Sequence, residues 1–145
     1  MNNYHYPQCL GTLEAAQYDY EHGLLFDLRT LIAAELLGDF ISQAKILLSN
    51  GYYVPAASLA GAVLEDSLRK LSTVHGIPIP IKTNINSLNV ELAKKGVYNA
   101  LVQKRITALA DIRNNADHGY TTQFTHQDVE DMIKYLLRFM TNYLP

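Results

Sequence analysis

Cysteine is nearly missing. Cys9 stands alone among 145 residues, so the chain closes no internal disulfide and builds no zinc site on paired thiolates. Charge is sparse too, at 18% of residues with a formal net charge of −2. A protein that tracks a nucleic-acid duplex along its phosphates carries a marked basic excess, which is absent here. A small cleft for a single strand needs none. There is no signal-peptide pattern, no low-complexity tract and no apolar run long enough to span a bilayer, so a cytoplasmic protein is expected, away from the membrane. The five histidines form no His-x3-His pair and no His-Glu-x-x-His on one helix face, and P-loop, dinucleotide and nucleophile-elbow patterns are lacking. No metal and no cofactor is expected.

What remains is apolar helix. Hydrophobic residues make up 48% of the sequence, enough for a single domain over residues 1–145 with one core. Met1–Gly11, polar, rich in Tyr and holding Pro7, reads as an N-terminal arm. A helical pattern starts at Leu13, is interrupted near His22-Gly23, and resumes through Leu24, Leu36, Ile41, Ile46 and Leu48 to a stop at Asn50-Gly51. The next helix has Pro55 in its first turn and runs to about Val74; Ala56, Ala57, Ala60 and Gly61 would let a neighbour approach closely. His75-Gly76-Ile77-Pro78-Ile79-Pro80 breaks it. A short helix capped by Asn84 or Asn86 ends near Lys95-Gly96, another begins near Asn99, and Thr125 with Asp128 starts the last, which should bury Val129, Ile133, Leu136, Leu137 and Met140. No run has the period of a strand. The expected fold is all-α, an antiparallel up-and-down bundle of about five helices.

The chemistry gathers at the end of the fourth of these helices, in Asp111-Ile112-Arg113-Asn114-Asn115-Ala116-Asp117-His118-Gly119-Tyr120. Leu101, Val102, Ile106, Leu109, Ile112 and Ala116 recur at helical spacing, Gly119 stands where a helix stops, and His118 falls at the C-cap. Arg113 borders the apolar stripe, and a guanidinium there needs a partner or a cleft. A helix C-terminus also attracts Arg and His through its dipole alone, with no ligand involved. On an ideal helix Arg113 and His118 point apart, so only unwinding at the terminus lets both reach one ligand.

Arg113, the polar Asn114 after it, and His118 resemble the Arg-x4-6-His signature of HEPN domains, and the likeness extends from about Leu59 to the last helix. The resemblance implies a homodimer and either of two functions. One is a metal-independent endoribonuclease, often the toxin of a toxin–antitoxin pair or part of phage defence. The other is a non-catalytic module that binds a nucleotide, RNA or a protein partner. In the first, Arg113 would hold the phosphoryl oxygens and His118 would move the proton of the RNA 2′-OH or of the leaving oxygen. Asn114, Asn115 and Glu65 would bind substrate, Glu65 because an acidic residue of that helix faces the Arg in some HEPN proteins. The alternative for Glu65 is a surface pair with Arg69 four residues on. Arg69 and His75 also satisfy the spacing, but Lys70 follows that Arg and the copy lies in an earlier helix. Asp117 beside His118 departs from the pattern: it could repel a phosphate or orient the His. Arg113-x4-His118-Gly119-Tyr120 further resembles toxins whose antitoxin, a nucleotidyltransferase, adenylylates the Tyr, which marks Tyr120 as a possible modification site.

Overall fold

The computed structural model describes Leu13, Glu14, Gln17 and residues 24–145. The expected arm at Met1–Gly11 and the interruption at His22-Gly23 lie outside the described residues. From Leu24 the chain forms five helices: α1 (Leu24–Ser49), α2 (Tyr53–Val74), α3 (Ile85–Lys94), α4 (Ala100–Asp117) and α5 (His126–Tyr143). There is no strand among the described residues, and the fold is all-α. The chain divides into two units, residues 1–36 and 37–145; the second holds the core and the motif. Among the described residues, no helix is long and apolar enough to cross a membrane.

Helix ends are set locally. Asn84, Asn99 and Thr125 cap α3, α4 and α5 by accepting the backbone N–H of Ser87, Val102 and Asp128. Thr125 and Asp128 complete a reciprocal capping box, which satisfies two donors that the first turn would leave free. At the other ends, Gly51, Gly76, Gly96 and Gly119 all take positive φ. After α4, Gly119 N–H donates to Ala116 C=O (3.2 Å) and Tyr120 N–H to Asn115 C=O (2.8 Å), the paired bonds of a Schellman turn. The same two bonds close α1, α2 and α3.

Within the second unit α2 is central, packing on α3, α4 and α5. Ala56, Ala57, Ala60 and Gly61 are buried along it, followed by Leu64, Leu68 and Leu71. The start of α2 runs antiparallel to the end of α4, because Ser58 meets Asp117 while Glu65 meets Arg113. From the same unit α1 contributes Leu37, Ile41, Ala44 and Leu48. His126 Nε2 lies 3.1 Å from Leu48 C=O; a carbonyl only accepts, so that nitrogen carries the proton. A polar knot crosses from α3 to α4. Buried Asn89 donates to Gln103 C=O (2.9 Å) and Thr107 Oγ1 (3.2 Å) and accepts from Tyr98 Oη (2.8 Å).

Some residues of the expected stripes turn outward. Leu101, Ile46 and Leu36 are exposed. In α5, Val129, Ile133 and Leu136 are buried as expected, but Leu137 and Met140 sit at the border while Met132 and Phe139 fill the core. The buried face of α5 is therefore centred nearer 132, 136 and 139, one row over from the face assigned by sequence.

Candidate functional site

Arg113 leaves α4 toward α2, and Gly61 lets it come close. A Cβ built on Gly61 would lie 2.6 Å from Arg113 Cβ and closer still to Cγ. Non-bonded carbons do not tolerate that separation, so the aliphatic stem of Arg113 lies directly on the α2 backbone. Its side chain is 28% exposed, and a guanidinium this far from water requires charged partners.

It has two. Nη2 donates to Glu65 Oε2 at 3.2 Å, and Nε lies 2.9 Å from Asp117 Oδ2 in an ion pair. Glu65 Oε1 meanwhile accepts from Arg69 Nη2 (2.9 Å) and Nε (3.3 Å). Asp117 Oδ1 accepts from Ser58 Oγ at 2.7 Å. The two readings of Glu65 therefore coexist: it pairs with Arg69 along its own helix and faces Arg113 across to the next. Asp117, left open between repelling phosphate and orienting His118, does something else. It holds the Nε of Arg113 and is itself held by Ser58. The result is a row of alternating partners, Arg69–Glu65–Arg113–Asp117–Ser58, whose two cations and two carboxylates sum to zero charge.

The guanidinium is thereby used along one edge. Its Nη1 has a single contact, Asn114 Oδ1 at 3.5 Å, the limit of a hydrogen bond. The Nη1–Nη2 end retains donors for a ligand, and two parallel N–H groups there match two oxygens of a carboxylate or phosphate.

His118 is the C-cap of α4 (φ −89°, ψ 0°) and Gly119 follows at φ +76°, so the helix unwinds at the motif. The His118 ring is exposed and makes no hydrogen bond to the described residues; its neighbour is Tyr120, ring centroids 6.1 Å apart and tilted 32°. Tyr120 is 60% exposed. In a Schellman turn the residue at this place usually packs on the third residue from the helix end, but here that residue is the polar Asn115, which leaves the phenol free. Behind the turn, Tyr53 Oη donates to Thr121 C=O at 2.9 Å and the Tyr53 ring meets Phe124 edge-on at 5.5 Å. The loop after the motif is thus pinned to the start of α2.

The structure brings Glu65, Arg113 and Asn114 together. Asn115 contributes its carbonyl to the turn, and His118 and Tyr120 form a second, outer group, tied to the first only by the His118 backbone N–H on Asn114 C=O (3.0 Å) and by no side-chain hydrogen bond or ion pair. The second motif copy divides similarly, with Arg69 on Glu65 and His75 exposed at the C-cap of α2. Ser58 and Gly61 were not named as site residues from the sequence, and Asp117 was weighed only against phosphate and His118, not as a partner of Arg113. Asp117 could have been found, since it stands four positions after Arg113 on one helix face; Ser58 comes from another helix and had no signal. Among the described residues no three His, Cys, Asp or Glu side chains are grouped as ligands of one metal ion would be.

Compared with known families, residues 38–143 match the family model described as HEPN domain. No curated protein and no solved structure gives a significant match.

Proposed function

The chain belongs to the HEPN family, and from that premise we propose that Arg113 and His118 form an RNA-phosphate site at which a homodimer cleaves single-stranded RNA without a metal. The observation that carries this reading is the posture of Arg113: clamped by Glu65 and Asp117 along one edge, with its Nη1 end left to a ligand. A phosphodiester seated there has its non-bridging oxygens on the guanidinium, which stabilises the charge of the pentacoordinate transition state. The 2′-OH of the same nucleotide attacks phosphorus and the bond to the 5′ oxygen breaks, which leaves a 2′,3′-cyclic phosphate and a 5′-OH. One His118 takes the 2′-OH proton. The leaving oxygen needs a proton at the same moment, and a two-fold dimer supplies a second His118.

A second reading, an RNA- or nucleotide-binding module without cleavage, is favoured by the neutral charge sum around Arg113. The experiment is incubation with single-stranded RNA in EDTA followed by analysis of the product ends. Cleavage to cyclic phosphate ends, lost in Arg113→Ala and His118→Ala with helical circular dichroism intact and kept in His75→Ala, supports the nuclease. RNA that is bound and stays whole assigns the module. Inactivation by His75→Ala instead moves the site to the other motif copy. In the same proposal exposed Tyr120 is the acceptor for adenylylation by an antitoxin partner. Coexpression with a nucleotidyltransferase encoded beside it should add AMP mass that Tyr120→Phe removes; an unchanged mass beside an active transferase refutes it.

A further inference from the structure

Among the described side chains, arginine is paired where its own helix offers a carboxylate. Arg69 has Glu65 one turn back, and Arg113 has Asp117 one turn on. Arg105 on α4 and Arg138 on α5 differ. Neither has an Asp or Glu three or four positions away on either side, and neither makes an ion pair or hydrogen bond with the described residues. Both are exposed. They nevertheless converge on one side chain. The Arg105 guanidinium carbon sits over the Tyr135 ring, 5.4 Å from its centroid, and Arg138 follows Tyr135 by one turn of α5. Burial first, and Tyr143 beside it, hold the Tyr135 phenol above its ordinary range, while the charges of Arg105 and Arg138 both pull the other way.

Two cations from different helices beside one half-buried phenol, neither of them in an ion pair with a carboxylate of the described residues, form an arrangement that an anion completes. The chain as a whole is acidic, with a net charge of −2, so the cluster is a local departure from the rest. Phosphate suits it: guanidinium presents donors in matching geometry, the phenol adds one more, and the outer face of Arg105 is open for a base to stack. Arg105 precedes Arg113 by eight positions on α4, about 12 Å along the axis at 1.5 Å per residue, a span within reach of a strand of a few nucleotides.

We propose that Arg105, Tyr135 and Arg138 form a second phosphate-binding surface, where α4 meets α5, that holds the backbone of single-stranded RNA at a distance from Arg113. That the polymer is RNA rests on the function proposed above; the phosphate chemistry of the surface does not.

The test uses the full chain and a fluorescein-labelled 2′-O-methyl oligouridine of twelve nucleotides, which cannot be cleaved because its 2′ oxygen is blocked. Anisotropy titrations over a range of salt give the affinity and its salt slope. Each phosphate neutralised on a single strand contributes about 0.7 to that slope, so the Arg105→Gln/Arg138→Gln double variant should lower it by about 1.4 and weaken binding roughly tenfold at low salt. The Arg105→Lys/Arg138→Lys pair keeps the charge and should keep most of the slope. Lys134→Gln, which removes an exposed cation already paired with Glu130, should change neither slope nor affinity. Equal losses in Lys134→Gln and the double variant would reduce the effect to net charge and overturn the surface. Unchanged binding in the double variant, with Arg113→Ala releasing the oligomer, overturns this surface and leaves the Arg113 reading standing. The reverse pattern keeps the surface and removes RNA from Arg113. Displacement by inorganic phosphate or AMP as effective, per phosphate, as by the oligomer assigns a free anion and overturns the RNA assignment. A wild-type protein that does not bind the oligomer also overturns it, while the cleavage assay still decides the Arg113 reading.

Discussion

Gly61→Ala and Gly38→Ala are the same chemical change at two helical glycines, and they should act in opposite directions. Each gains about 1 kcal/mol of helix propensity, because Gly is the poorest non-proline residue in a helix interior. A Cβ on Gly38 meets nothing within 4 Å, whereas one on Gly61 falls 2.6 Å from Arg113 Cβ. Arg113 cannot escape by changing rotamer, since its Cβ moves only with the backbone of α4. The helices must separate, at an overpacking cost of about 1–3 kcal/mol. The propensity gain is common to both variants, so their difference isolates that cost. Gly38→Ala should be the more stable by about 1–3 kcal/mol, roughly 4 °C in Tm for each kcal/mol in a domain of this size. Urea denaturation with circular dichroism measures both. The displacement also draws Arg113 from Glu65 and Asp117, so Gly61→Ala should bind RNA more weakly than Gly38→Ala. If Gly61→Ala proves as stable as Gly38→Ala, α2 and α4 do not approach each other as described.

Asp117→Asn removes one of the two carboxylates on Arg113 and gives the cluster a net positive charge, so affinity for a short single-stranded RNA should rise several-fold at low salt; a fall in anisotropy-measured affinity would make Asp117 a positioning group instead. Asn89→Ala deletes the centre of the α3–α4 knot, and each buried group left without a partner, Tyr98 Oη first among them, costs about 1–3 kcal/mol; a urea midpoint equal to that of the wild type would refute the network. Burial, with Tyr135 and Tyr143 adding to it, raises the Tyr98 phenol above its ordinary 10.0, and burial raises Tyr135 as well. A raised folded-state value means stability that is complete below about pH 10 and is lost as the pH climbs above the unfolded value. Ultraviolet titration should show these phenols ionising only together with loss of helix, and full ionisation of all ten tyrosines near pH 10 with the helices intact would contradict their burial.

The fold was legible in the sequence wherever its determinants are local. A helix end is decided by three or four consecutive residues, so the start near Asn99, the Thr125–Asp128 box and the four terminating glycines could be read directly. Asn84 and Asn86 could not be separated, because both stand at a plausible start and only the Ser87 N–H decides between them. Faces were less legible. Leu137 and Met140 fit the apolar stripe of α5 about as well as Met132 and Phe139, and which row is buried depends on where α2 lies. At the candidate site, Arg113's need for a partner was readable, whereas its partners were not all so. Ser58 and Gly61 act across 59 and 52 positions of sequence, a separation at which no spacing rule operates. The residue after Arg, an uncharged Asn114 against a cationic Lys70, distinguished the two motif copies by sequence. In space they are joined, both arginines resting on Glu65.

The two histidine turns have a further use. His75 (φ −91°, ψ 9°) and His118 (φ −89°, ψ 0°) occupy the same main-chain pose, each followed by a glycine, at φ 68° and 76°. Nature has supplied a matched pair of imidazoles within one polypeptide, mounted alike and differing in company. When both rings meet the same reagent in the same tube, such as an acylating agent or a labelled nucleotide, concentration, temperature and folding are shared to the last molecule. Backbone pose then drops out of the ratio of their responses. What remains is the contribution of the neighbours, among them Tyr120, read against a reference the molecule carries within itself.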